Sequence, residues 1–454
     1  MKMDIKKGQE IELVINNSIY GGKAVGYIES HRVITDRGIP GQKLLARVKK
    51  RRPGLLEAKT IKVLECSEKE TQDACIHAVE CGGCSMQGVE YQYQVELKNQ
   101  QVYNLFRSEG LLVKKWLNPI MSPLQSEYRN KMEFTFGNEY KEGPLTLGMH
   151  RRGHRFDIID TYECRLIDSD FRKLRNLTAE FFRDKQLKPY HKISREGVLR
   201  HLVLRKGYYS GEVMVHLITT SEVEETVIRE WSSEIVRKNF GGIIKSIFWT
   251  KNDSVADAVK SDETILLYGE KNIVEILHGL IFRITPFSFF QTNSAGANVL
   301  YDVIKKTVQK TDGQILDLYC GLGTIAQILA QMAESVTGID IVEEAIEQAK
   351  ESAVENNIKN CGFIAGDVKE KLHELHGKPD LLVIDPPRPG VHPKAMSDLL
   401  YLESERILYV SCNPKTLVKN LKQSVENGYS IEWVQCVDLF PSTNHVEVVT
   451  LLTS

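Results

Sequence analysis

A chain of 454 residues is too long for one hydrophobic core, so two to four domains are expected. Its 42% hydrophobic and 26% charged residues are ordinary for a soluble globular protein, no apolar run reaches the roughly 18 residues of a membrane span, and no secretory signal opens it, so a cytoplasmic location is expected. The net charge of −1 conceals a basic segment at residues 1–62, with 14 Lys/Arg against 6 Asp/Glu, which suits an RNA-docking module on an acidic body.

Residues 1–62 are short alternating runs broken by turn formers. Glu10–Ile15 and Lys43–Val48 read as strands, separated by Gly21-Gly22 and Gly38-Ile39-Pro40-Gly41. That spacing predicts a small OB-like β-barrel, a common platform for RNA. Residues 63–85 have little periodicity but crowd Cys66, Cys75, Cys81 and Cys84 together. With nine cysteines in a cytoplasmic chain, a disulfide framework is not expected. From Val89 to about Leu112, Val95, Val102 and Phe106 recur at helical spacing. Strands and helices alternate to about residue 280, Met132–Phe136 and Glu212–Leu217 being the clearest strands.

After Pro286 the pattern becomes strand, glycine turn, helix, strand. Ile315–Tyr319, Val336–Ile339, Leu381–Ile384 and Arg406–Val410 read as buried strands, with helices over 324–332 and 343–356. This is the pattern of a doubly wound, largely parallel α/β domain. Domain limits of 1–62, 63–285 and 286–454 follow.

In such sheets ligands sit beyond the carboxyl ends of the strands. The first strand ends in Asp317-Leu318-Tyr319-Cys320-Gly321-Leu322-Gly323, where glycine lets backbone approach a ligand closely. The second ends at Asp340, placed to accept both hydroxyls of a ribose, and Asp367 ends the third, near an adenine. The dinucleotide pattern G-x-G-x-x-G is not met, because residue 326 is Ala. S-adenosylmethionine therefore fits better than NAD.

Asp385-Pro386-Pro387-Arg388 follows the fourth strand, its prolines stiffening the turn that carries the acid. Ser411-Cys412-Asn413-Pro414 follows the next. A thiolate there can attack C6 of uracil, turning C5 into a nucleophile. A base must then remove the C5 proton. Glu447, in an otherwise apolar strand, is the candidate, and His445 competes with it.

Taken together, these residues resemble the RNA uracil-C5 methyltransferases that make 5-methyluridine in ribosomal and transfer RNA. The resemblance implies a Rossmann-like class I methyltransferase domain, an N-terminal TRAM barrel and an α+β central domain. It makes Cys412 the nucleophile and Glu447 the base. Gln291, in Phe289-Phe290-Gln291-Thr292-Asn293, joins Tyr319, Gly321, Asp340, Asp367 and Asp385 at the cofactor. The spacing Cys75-x5-Cys81-x2-Cys84, then Cys164, is similar to the 23S ribosomal-RNA branch and implies a [4Fe–4S] cluster, where thiolates alone would also suit zinc. The helix near 89–112 is expected to pack on the catalytic domain, and the enzyme to act as a monomer.

The substrate is expected to be 23S ribosomal RNA. Tyr128-Arg129-Asn130-Lys131 looks closer to transfer-RNA enzymes of the family, which keeps transfer RNA open. A cytosine-C5 enzyme and a non-enzymatic assembly factor are the remaining alternatives.

Overall fold

The computed structural model describes residues 5–254, 263–308, 313–372 and 378–454. Strands β1 (Glu10–Ile19), β2 (Lys23–Ile28), β3 (His31–Thr35), β4 (Lys43–Arg52) and β5 (Leu55–Glu65) close a barrel in the order β1-β2-β3-β5-β4. Its core follows from period-two alternation: Ile11, Leu13 and Ile15 of β1 meet Leu44, Ala46 and Val48 of β4. The intervening Arg47 and Lys49 face outward.

The cysteine-bearing stretch has no regular element. Helix α1 (Tyr91–Ser108) and the short β6 (Val113–Trp116) follow it. The central domain holds β7 (Lys131–Asn138), β8 (Leu145–His150), β9 (Ile158–Asp160), α2 (Ser169–Asp184), β10 (Leu199–Lys206), β11 (Glu212–Thr219), α3 (Glu225–Arg237), β12 (Ile243–Lys251) and β13 (Glu263–Gly269). Its sheet runs β13-β12-β11-β10-β7-β8-β9. Helices α2 and α3 cover one face with Phe182 and Trp231, the latter held through its indole N–H on Thr178. The Asp168 side chain caps α2 by accepting from the Phe171 N–H.

A hairpin, β14 (Ile273–Leu277) and β15 (Leu280–Ile284), leads into the third unit. There α4 (Ser294–Lys305), β16 (Gln314–Leu318), α5 (Thr324–Ala330), β17 (Ser335–Asp340), α6 (Glu343–Glu355), β18 (Cys361–Ala365), α7 (Val368–Leu372), β19 (Leu381–Ile384), α8 (Pro393–Leu400), β20 (Arg406–Ser411), α9 (Pro414–Glu426), β21 (Ser430–Val437) and β22 (Glu447–Thr453) alternate. The sheet order is β18-β17-β16-β19-β20-β22-β21-β6. Strands β16 to β20 are parallel, and β22 enters antiparallel between β20 and β21. Both faces are buried at its centre, so β19 and β20 are buried along almost their whole length rather than alternating.

Segment 91–116 belongs spatially to this last sheet. Val102 and Phe106 of α1 share a core with Leu417 and Leu421 of α9, and β6 pairs in parallel with β21. No helix among the described residues is long and apolar enough to cross a membrane.

Candidate active site

The parallel strands deliver their carboxyl ends to one edge, and β22 begins at that same edge. β16 ends one residue sooner than its apolar run, because Tyr319 takes a left-handed φ of 63°. Such a conformation in a non-glycine residue is costly and collects at functional sites. The turn continues through Gly321 and Gly323, both with positive φ. At Gly323 a side chain would collide with the Phe363 ring as well.

Asp340 clamps this turn. One carboxylate oxygen accepts from the Gly321 N–H at 2.9 Å, the other from the Val342 N–H at 2.9 Å. Each oxygen keeps a second lone pair with which to accept a further hydrogen bond. Asp367 is exposed at the end of β18, caps Lys369, and its charge reaches Tyr319. Beneath the turn, Asp317 is fully buried. Burial, then the neighbouring Asp385, raise its pKa well above the carboxylate range, against a backbone hydrogen bond from Ala326 that lowers it.

Gln291 lies on the segment entering α4. The Asn130 side chain donates to the Gln291 carbonyl at 2.9 Å, and the Asn130 N–H donates to the Thr292 carbonyl at 2.9 Å. Asn293 caps α4 and donates to the Leu439 carbonyl at 2.8 Å. The Tyr128-Arg129-Asn130-Lys131 stretch thus braces the segment that carries Gln291.

Cys412 sits on the turn after β20. The Ser411 hydroxyl donates to the Asn413 carbonyl at 3.2 Å and receives the Asn413 N–H at 3.1 Å. Asn413 caps α9, and Pro414 occupies its first turn, where no amide hydrogen is missed. Ser411 is paired with Val448, so one step further on each strand sets Cys412 opposite Glu447. Burial, then the Glu447 and Asp385 charges, push the Cys412 thiol up to about 11, and the Arg388 guanidinium opposes them.

Glu447 is buried. Burial and Asp385 push its carboxyl up to about 8, again against Arg388. Burial alone takes Asp385 to about 7. His445 moves the other way: burial, with Arg388, Lys98 and Arg129, lowers it to about 4. Of the two candidate bases, the pocket strengthens the carboxylate and weakens the imidazole.

The loop to Glu447 is held from several sides. Buried Lys98 of α1 pairs with Asp438 at 2.8 Å and donates to the Phe440 carbonyl at 3.0 Å. The Tyr128 hydroxyl donates to the Pro441 carbonyl at 2.9 Å, and the Ser85 and Met86 N–H groups both donate to the Ser442 carbonyl at 3.0 Å. Lys98, Arg388 and Asp317 were not among the expected site residues. The arginine directly after Asp385-Pro386-Pro387 was the one visible signal for any of them.

Cys75, Cys81, Cys84 and Cys164 gather near one another, close enough that the charges of the other three raise Cys164. Burial is the larger cause, taking Cys84 to about 11 and Cys164 to about 12. Arg152 knits their loop by donating to the carbonyls of Ala78, Cys81 and Cys84. The Gly83 N–H donates to the Cys81 sulfur at 3.3 Å and Gln87 Nε2 to the Cys84 sulfur at 3.6 Å. Among the described residues no three His, Cys, Asp or Glu side chains converge closely enough to hold a single metal ion. Cys66 is exposed and takes no part in this group.

Residues 259–454 match the model of the tRNA (uracil-5-)-methyltransferase family. An uncharacterized RNA methyltransferase of Clostridium tetani is 46% identical, with 98% of each chain covered. Another from Caldanaerobacter subterraneus is 41% identical over 98% of this chain and 99% of its own. The crystal structure of the Pyrococcus abyssi tRNA (uracil-54, C5)-methyltransferase, in complex with S-adenosyl-L-homocysteine, superposes with a TM-score of 0.77. It is 26% identical and covers 97% of this chain and 99% of that one. A class I methyltransferase domain preceded by a five-stranded barrel, the chain belongs to the S-adenosylmethionine-dependent RNA uracil-C5 methyltransferases.

Proposed function

We propose that the enzyme methylates C5 of a uridine in 23S ribosomal RNA, with Cys412 as nucleophile and Glu447 as base. The observation that carries the chemistry is the placement of Cys412 opposite Glu447, one step beyond the last β20–β22 pair. The Cys412 thiol loses its proton to solvent, its thiolate adds through sulfur to C6 of the uracil, and the C5–C6 π electrons become an enolate. When bound, S-adenosylmethionine would supply an electrophilic methyl group to C5, the electron pair of the broken S–CH3 bond staying on its sulfur as S-adenosylhomocysteine. Glu447 then removes the C5 proton, the C5=C6 bond re-forms, and the Cys412 sulfur leaves with its electron pair. A carboxylate with a pKa near 8 is matched to that proton transfer at cellular pH. Arg388 favours the anionic forms of both groups.

Gln291, Tyr319, Gly321, Asp340, Asp367 and Asp385 are the residues that hold the cofactor. The clamped, glycine-bearing turn suits a ligand that packs against backbone.

The chain is read as three modules, 1–62, 63–285 and 286–454, the second lending segment 91–116 to the third. RNA docks on the basic barrel. A groove of about 500 Å³ between barrel and cysteine loop is lined by six cations, Arg37, Arg47, Lys49, Lys59, Arg151 and Arg152, against two acids, Asp36 and Glu80. Such a groove favours a phosphate backbone. Cys75, Cys81, Cys84 and Cys164 hold a [4Fe–4S] cluster. The four thiols lie near enough to raise one another's pKa, and N–H groups already face two of the sulfurs, as they would the thiolates of a cubane. Methyl transfer needs no electron, so its role is to shape the RNA-facing loop.

Transfer RNA is the second reading, favoured by the 0.77 TM-score against an enzyme named for uracil-54 of tRNA. Incubation with ribosomal and transfer RNA and methyl-labelled cofactor decides between them. Label in 23S RNA supports the first reading, and label in transfer RNA alone overturns it.

A further inference from the structure

Tyr20 stands where β1 runs into the β1–β2 turn, and its side chain leaves the barrel for the nucleophile loop. Its hydroxyl donates to the Cys412 carbonyl at 3.3 Å, across 392 residues of sequence. The ring packs against the catalytic core, and the Lys415 ammonium, in the first turn of α9, lies 5.5 Å from its centroid.

The turn is seated on both sides. Before it, the Ser18 hydroxyl accepts from Gln101 of α1 at 2.8 Å, and both residues are buried. After it, Gly21 and Gly22 have positive φ, and a Cβ on Gly22 would run into the Asn444 side-chain amide. Asn444 belongs to the loop that leads to Glu447. One hairpin of the barrel therefore touches the turn of the nucleophile and the loop of the base.

The internal bonds of the Ser411–Asn413 turn close its flanks, whereas the Cys412 carbonyl is the group Tyr20 engages. Rotation of that peptide plane swings the thiol relative to the base it attacks. Burial and the nearby Cys412 and Glu447 charges raise the phenol to about 12, so it keeps its proton, and its role as donor, through the working pH range.

We propose that Tyr20 is a positioning residue of the methyl-transfer site: its hydrogen bond to the Cys412 carbonyl sets the tilt of the nucleophile turn. The N-terminal barrel is then a working part of the active site as well as a docking module. This rests on Cys412 being the nucleophile.

The test uses the full-length enzyme, cofactor and saturating RNA, with single-turnover methyl transfer as readout. A parallel assay measures the rate of covalent trapping on 5-fluorouridine RNA. Tyr20→Phe keeps the ring and its Lys415 contact and removes only the hydroxyl. Both rates are expected to fall roughly tenfold, the effect of one hydrogen bond lost from an aligned reaction. RNA affinity should stay within about twofold. Gly22→Val, which lifts the turn away from Asn444, should lower the same rates.

Wild-type rates in Tyr20→Phe, or a change confined to RNA affinity, would overturn the proposal and leave Cys412 chemistry intact. Failure of the wild-type enzyme to form any adduct through Cys412 would overturn both.

Discussion

Cys412 and Glu447 face each other one residue past the β20–β22 ladder, and the Glu447 charge makes the Cys412 thiol harder to ionise. The proposed nucleophile and base are thereby coupled. A negative Glu447 disfavours the thiolate and a protonated one permits it.

Cys412→Ala removes the sulfur and leaves the turn, whose bonds come from Ser411 and Asn413. Turnover should drop by more than ~10³-fold while RNA binding persists. A filter-binding assay beside a methyl-transfer assay separates the two effects.

Glu447→Gln should allow methylation of C5 but not release, so methylated RNA accumulates covalently attached to the enzyme. His445→Ala should not, because burial has already made that imidazole a weak base. Denaturing gels of labelled RNA read this directly. Accumulation in the histidine variant instead would reassign the base.

The buried acids also fix a pH dependence. Glu447 has a folded pKa above its unfolded value, so between about pH 4.5 and 8 the folded state holds the extra proton. Stability from this group is present at low pH and is lost as pH rises through about 8. Glu447→Gln should therefore raise the melting temperature by roughly 2–4 °C more at pH 8.5 than at pH 5. Wild-type single-turnover rate should rise with pH across that same interval, as base and thiol both approach their anionic forms.

Neutralising Lys49 and Lys59 in the groove beside the barrel should weaken binding to all RNA sequences alike. The slope of log affinity against log salt should shrink by about one for each lysine removed. An unchanged slope would place the RNA elsewhere.

Protein purified without oxygen should carry about four iron and four sulfide per chain. Cys84→Ser should lower both and loosen the Ser85 and Met86 contacts to Ser442, seen as faster amide exchange there. Stoichiometric zinc without sulfide would replace the cluster by a zinc site.

The sheet edge that gathers the candidate residues was largely legible in the sequence because strand–turn–helix repetition forces its motifs to strand ends. Asp340, Asp385 and Cys412 each follow an apolar run, and the sheet brings such ends together. What sequence could not show depends on packing between distant segments. Val113–Trp116 is too short and too charged to announce a strand, yet it completes the catalytic sheet. Lys98 reads as one more exposed lysine on α1 until Asp438 is seen against it. Tyr20 offers no local signal, since its partner lies at the other end of the chain. Asp340 read as a ribose ligand alone, and the structure adds its clamp on Gly321.

The most direct measurement is covalent trapping on RNA containing 5-fluorouridine, followed by mass mapping of the linked peptide. Fluorine cannot leave C5 as a proton does, so a methylated adduct should persist on the peptide bearing Cys412 and vanish in Cys412→Ala. A folded, cofactor-loaded enzyme that methylates RNA without that adduct, or forms it through another cysteine, would contradict the mechanism.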